Sequence, residues 1–244
     1  MNATALADKI VLVTGASRGI GYQAALEAAR RGAHVIAVAR TVGGLEELDD
    51  EIKAIGQSAT LVPLDLREFD GIDRMGRAIF ERWGRLDGLV GNAGALGLLS
   101  PVAHVEPKDF EQAMAVNVTA NYRLIRSMDL LLRQSAAGRA VFVSSSSADS
   151  AKPFWGPYAA SKAALEALVK SYAGEIANVT EVRANLFHPG AVRTAMRAKV
   201  APGEDPASLP HPSEVAPALI DMIEPGFTEN RVVVDYPSGE TRAF

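Results

Sequence analysis

The chain has 244 residues, 48% of them hydrophobic and 22% charged, which suits one large α/β core and excludes a disordered chain. Its formal net charge of -4 at pH 7 comes without a long basic run, so the electrostatic footprint of a nucleic-acid binder is absent. It has no cysteine, which rules out disulfides and thiolate metal sites and makes a reducing cytosol tolerable.

The chain opens MNATALADKIVLV, without a basic leader and with Asp8 and Lys9 interrupting the apolar stretch, so it reads poorly as a signal peptide. No apolar run approaches the ~20 residues of a membrane-spanning helix, and a soluble, cytoplasmic protein with no membrane or nucleic-acid partner is expected. Seven short β-branched runs then follow in order: KIVLVT, HVIAVA, ATLVPL, LDGLVG, RAVFVS, VRANLF and RVVVDY. The segments between them mostly have helical length and period. Such alternation predicts a doubly wound α/β fold of Rossmann type, a seven-stranded parallel sheet with helices on both faces. No repeat or composition break divides the chain, so a single domain over 1–244 is expected.

The first run leads directly into TGASRGIG, residues 14–21. Gly15, Gly19 and Gly21 sit where backbone must turn tightly, approach a pyrophosphate and let a helix start against a strand. The second run ends in Ala39 and Arg40, with no carboxylate to hold the adenine ribose of NAD. Arg40, together with Arg18 in the glycine loop, suits the 2′-phosphate of NADP instead. Asp65 closes the third run and either meets the adenine edge or caps the next helix.

Further along come GNAG at 91–94, VNV around Asn117, four serines at 144–147, PFWGPYAASKAALEAL from Pro153, and HPGAVRT from His188. Tyr158 and Lys162 lie four residues apart, one turn along the same helix face. Asparagine is a poor helix former at position 117. Residues 189–217 hold six of the thirteen prolines, which predicts a long loop or lid with at most a short helix near 194–200. The four histidines, His34, His104, His188 and His211, have no metal-ligand spacing, so no bound metal is expected.

In this order and spacing the motifs resemble those of the short-chain dehydrogenase/reductase family, in its compact single-domain branch, over Lys9 to about Thr194. The resemblance implies an oxidoreductase that moves a hydride between NADP(H), less readily NAD(H), and a carbonyl or secondary alcohol. It implies cofactor contacts from Gly15, Ser17, Arg18, Gly19, Ile20, Gly21, Arg40, Asp65, Leu66, Asn92, Ala93, Gly94, Pro189, Gly190, Val192 and Thr194. Gly91 stands where the family has an asparagine, and His188 where asparagine is commoner. The family's catalytic set falls on Asn117, Ser145, Tyr158 and Lys162. The family's serine precedes its tyrosine by thirteen positions, which selects Ser145, with Ser146 the nearest competitor.

In that reading Tyr158 is the general acid or base, and Lys162 lowers its pKa and hydrogen-bonds the nicotinamide ribose. Ser145 stabilises the developing oxyanion, while Asn117 kinks its helix around a proton-relaying water. Leu96, Leu98, Leu99, Phe154, Trp155 and Met196 are apolar candidates for the pocket, which favours a small apolar substrate. A non-catalytic NADP(H)-binding sensor or scaffold is the alternative. A homo-oligomer is implied, either a tetramer or, since the ending VVVDYPSGETRAF lacks the glycines common in tetrameric relatives, a dimer.

Overall fold

Strands form where the apolar runs are buried on both sides. In β1 (Ile10–Thr14) every residue is buried, with Ile10 and Leu12 facing one core and Val11 and Val13 the other, as the two-residue period of a strand requires. The structure, a computed structural model, describes residues 4–244; residues 1–3, which begin the segment read as a poor signal peptide, lie outside the described residues. After β1 come α1 (Gly19–Arg30), β2 (His34–Ala39), α2 (Val42–Ala54), β3 (Ala59–Pro63), α3 (Phe69–Trp83) and β4 (Gly88–Gly91). The second half holds α4 (Pro107–Met114), a π-helical turn (Ala115–Thr119), α5 (Ala120–Arg133), β5 (Arg139–Val143), α6 (Ser147–Ser150) and α7 (Gly156–Ile176). It ends with β6 (Arg183–His188), α8 (Ala195–Val200), α9 (Pro212–Asp221), β7 (Val232–Asp235) and β8 (Glu240–Ala243).

The strands lie in the order β3-β2-β1-β4-β5-β6-β7-β8. All pairs through β6 and β7 are parallel, and β8 runs antiparallel along β7. The seven expected strands are therefore joined by an eighth. Its four residues are all exposed, so no buried face marks them in the sequence. One core packs α3, α5 and α7 against the sheet through Ile72, Leu124 and Leu165. The other packs α1, α2 and α9 through Leu26, Leu45 and Leu219. Strand order reverses direction between β1 and β4, and their carboxyl ends open the crevice where such sheets bind ligands.

The proline-rich segment holds more helix than expected. α8 matches the short helix, with Thr194 at its N-cap accepting from the Arg197 amide at 3.2 Å. A second helix, α9, starts inside the segment at Pro212. His211 caps it, and Glu214 Oε1 reciprocally accepts from the His211 amide at 2.6 Å. Proline at the first helical position loses no intrahelical bond, which is why this proline starts the helix instead of blocking it. Among the described residues no helix is long and apolar enough to cross a membrane.

Candidate active site

At the crevice the end of β1 is tied to the end of β4. The Thr14 hydroxyl accepts from the amides of Asn92 and Ala93, each at 3.0 Å, and the Asn92 side chain donates to the Thr14 carbonyl at 2.9 Å. Gly15 has φ +70°, and a Cβ there would stand 2.9 Å from Asn92 Nδ2 and 3.0 Å from Ala93 Cα, so only glycine lets the two loops meet. Gly91, the departure from the family's asparagine, has a local cause. It pairs with Phe142 on β5, and a Cβ at Gly91 would lie 2.4 Å from the Phe142 ring.

The loop then turns into α1. Arg18, at its N-cap, is extended and provides no side-chain cap, and the first turn contains no acidic residue. Uncapped amides with the positive end of the helix dipole behind them suit a pyrophosphate. This loop therefore fits a dinucleotide. Thr194 reaches it from the start of α8, its methyl 3.4 Å from where a Cβ on Gly19 would stand. Arg18 and Arg40 are exposed beside it. Asp65 does not cap α3. Its carboxylate takes the Arg67 amide at 2.9 Å and the Arg67 guanidinium at 2.6 Å, with Arg40 at 3.9 Å. The Arg67 hydrogen bond holds its pKa below the usual carboxylate range. Leu66 is buried in the core beneath.

Asn117 lies in the π-helical turn between α4 and α5, a distortion frequent at functional sites, and it is wholly buried. Its side chain clamps the strand-end loop, accepting from the Ala95 amide and donating to the Ala95 carbonyl, both at 2.8 Å. It also donates to the Ser161 hydroxyl at 2.8 Å, which in turn donates to the Tyr158 carbonyl at 2.8 Å. The Asn117 carbonyl takes the Asn121 side chain at 2.8 Å. Asn117 thus joins the Gly94–Ala95 loop to the first turns of α7.

The consecutive serines have distinct surroundings. Ser144 is buried and donates to Glu166, Ser146 is exposed, and Ser147 is buried at the start of α6. The Ser145 hydroxyl accepts from the Ser147 amide at 3.2 Å and lies beside the Tyr158 phenol. Burial carries that phenol above its ordinary pKa, the Ser145 hydroxyl only opposing it. This is opposite to the lowering expected from Lys162. The lysine instead donates to the Val143 carbonyl at 2.8 Å, with Nζ 5.8 Å from the tyrosine ring centroid. Lys162 is itself pulled down to about 8 by burial, against the pull of Glu166.

Beyond Tyr158, Pro189 and Val192 are buried, Gly190 has φ +70°, and Trp155 packs edge-on to the tyrosine ring at 5.8 Å. Leu98 and Phe154 are more than half exposed, while Leu96 and Leu99 are partly buried. A separate groove of about 440 Å³ lies between α4 and the start of α7, lined by Val102, Val105, Phe110 and Pro157 among others. None of the six apolar pocket candidates lines it. Sequence reasoning missed Asn121, Ser161, Arg67 and Glu166; Asn121 and Arg67 act on chain neighbours, Asn117 and Asp65, whereas Ser161 and Glu166 meet distant partners only through the fold. Among the described residues no group of three or more histidines and carboxylates is arranged to hold a metal.

Residues 9–205 match the family model for short chain dehydrogenases. The chain is 39% identical to the oxidoreductase YciK of Escherichia coli strain K12 over 218 residues, covering 88% of this chain and 86% of that protein. It superposes with a TM-score of 0.92 on a short chain dehydrogenase from Escherichia coli CFT073 complexed with NADPH, at 35% identity over 96% of this chain and 99% of that one. A Shigella flexneri relative complexed with NADP gives a TM-score of 0.91 at 35% identity, covering 96% of this chain and 98% of that one.

Proposed function

The chain belongs to the short-chain dehydrogenase/reductase family of oxidoreductases, and on that premise we propose an NADP(H)-dependent reductase of small, apolar carbonyl compounds. The carrying observation is the convergence of Ser145, Tyr158, Lys162 and Asn117 beside the glycine-lined crevice. NADP(H) is favoured by Arg18 and Arg40, the absence of a carboxylate at the end of β2, and the two NADP-complexed relatives.

Residues 15–21 hold the pyrophosphate, Arg40 and Arg18 the 2′-phosphate, and Asp65 with Leu66 border the adenine. Asn92, Ala93 and Gly94 form the far wall of the crevice, while Pro189, Gly190, Val192 and Thr194 face the nicotinamide. Bound cofactor provides the hydride in reduction and accepts it in oxidation. As the carbonyl oxygen gains charge, the Ser145 hydroxyl donates a hydrogen bond to it and the Tyr158 hydroxyl gives it a proton. Burial holds the phenol in its protonated form, the form that donates to the developing alkoxide. Lys162 orients the ribose and offers a compensating charge as the phenolate forms. Asn117 keeps the loop and the tyrosine's helix in register, and reprotonation passes from solvent by way of Lys162.

Residues 189–211, the part of the proline-rich segment before the core-packed α9, act as a lid that brings Val192, Thr194 and Met196 over the substrate. Trp155 and Phe154 supply its apolar wall, and α5 with α7 supplies the interface of a homo-oligomer. A panel of aldehydes and ketones with NADPH, followed at the nicotinamide absorbance, tests the reading. Turnover of apolar members that is lost in Tyr158→Phe, with NADPH affinity retained, is expected. Full activity in Tyr158→Phe overturns the assignment of that residue, and tight NADPH binding without turnover by the native chain favours a binding module.

A further inference from the structure

We propose that Glu166 is a positioning residue for this reaction: its carboxylate fastens the ends of β5 and β6 to the helix of Tyr158 and Lys162 and places a negative charge beside that lysine. The proposal rests on the roles assigned to Tyr158 and Lys162 above. Glu166 is only 4% exposed and sits one turn beyond Lys162 on α7, on the same helix face. A carboxylate so deeply placed is costly unless its oxygens are occupied. Oε1 accepts from the Ser144 hydroxyl and from His188 Nε2, each at 2.7 Å, and Oε2 takes Lys170 Nζ at 3.2 Å.

The partners' places in the fold give this clasp its meaning. Ser144 immediately precedes Ser145, and His188 immediately precedes the Pro189–Gly190 turn. One carboxylate therefore sets the oxyanion-stabilising serine, the nicotinamide-facing turn and the lysine's helix in mutual register. Burial alone would raise its pKa, but the hydrogen bonds from His188 and Ser144 bring it down to about 2, so it is an anion at neutral pH. An ionised carboxylate only accepts, so His188 Nε2 carries the hydrogen of that bond. The charged and titratable groups facing this centre are Lys162 and Lys170 from α7, His188 from β6, and Asp235 from β7, whose Oδ2 lies 3.9 Å from His188 Nδ1. The site becomes coupled to the clasp through Lys162, whose ammonium is favoured by the Glu166 charge.

The test measures NADPH affinity by nucleotide fluorescence across pH, alongside kcat and thermal stability, in the native chain and in Glu166→Gln. Glutamine keeps the shape and an accepting oxygen but removes the charge. The expected result is near-native affinity at low pH, with the pH at which affinity weakens moved down by ~1 unit because Lys162 loses its proton sooner. An unmoved break in a stably folded variant overturns the proposal. Lys162→Met is the control: a break that survives in it shows that the titrating group is not Lys162 and removes the reading on which the proposal stands. Should Glu166→Gln not fold, Ser144→Ala removes one strand of the clasp by a single atom. It is expected to cost ~10-fold in kcat with NADPH affinity kept, and native kcat in that variant overturns the positioning role.

Discussion

The four consecutive serines show at residue scale what spacing can and cannot settle. Counting back from Tyr158 selects Ser145, and its place beside the phenol, whose pKa it lowers against burial, supports that choice. Ser146, the nearest competitor, points its residue into solvent. Ser145→Ala is expected to lower kcat by ~10²-fold while NADPH affinity holds, as loss of one oxyanion donor does. Ser146→Ala should stay near native, and the reverse order in steady-state assays would move the role to Ser146. Ser144 was illegible for a physical reason, since its partner Glu166 lies 22 residues away and meets it only across the β5–α7 packing. The same holds for cofactor choice. Arg40 stands alone at the end of β2 in the sequence, but the fold places it 3.9 Å from Asp65, itself occupied by Arg67. Arg40→Asp, which adds a second carboxylate there, is expected to reverse the preference from NADPH to NADH in kcat/KM. A preference left unchanged would shift phosphate recognition to Arg18.

Among the elements, burial alone did not decide legibility: α8 has no buried residue and was expected, whereas α9 buries five of its ten residues and was hidden by its prolines. The glycine loop and the α7 pair were legible because their spacing is local. β8, exposed on all four residues, has no apolar pattern to read. The short α6 is a different case, held between the serines and the turn before α7. It ends at Ala151, which has φ +39° and ψ +51°, a left-handed conformation disfavoured for a residue with a Cβ. Ala151→Gly should relieve it and stabilise the protein by ~0.5–1 kcal/mol, read as a raised urea midpoint with unchanged slope. A lowered midpoint would mean that the backbone freedom glycine adds to the unfolded chain outweighs the strain it relieves. The π-helical turn makes the opposite case. Its Asn117 was singled out because asparagine suits a helix poorly, and the clamp it forms on Ala95 and Ser161 supplies the compensation.

At the scale of the whole molecule, the alternation of runs and helical segments made the doubly wound sheet legible, and with it the crevice between β1 and β4. Electrostatic balance in the interior was not legible, because burial decides it. Lys162 is the clearest instance. Its folded pKa of about 8 lies below the ordinary 10.5, so the unfolded chain binds its proton more tightly. That difference penalises folding below about pH 8 and fades as pH rises toward the unfolded value, so stability rises with pH over that window. The gain from about pH 7 to pH 9.5 is on the order of 2 kcal/mol. Tyr172 has a phenol pushed above its ordinary value, which reverses the trend only once tyrosines ionise in the unfolded chain, near pH 10. Urea unfolding of the native chain and Lys162→Met at matched pH isolates the lysine. The difference in unfolding free energy between the two should shrink steadily from neutral to alkaline pH, with the variant the more stable at neutral pH. A difference that does not change with pH would place the lysine's folded pKa at its ordinary value and remove burial as the force that sets its charge.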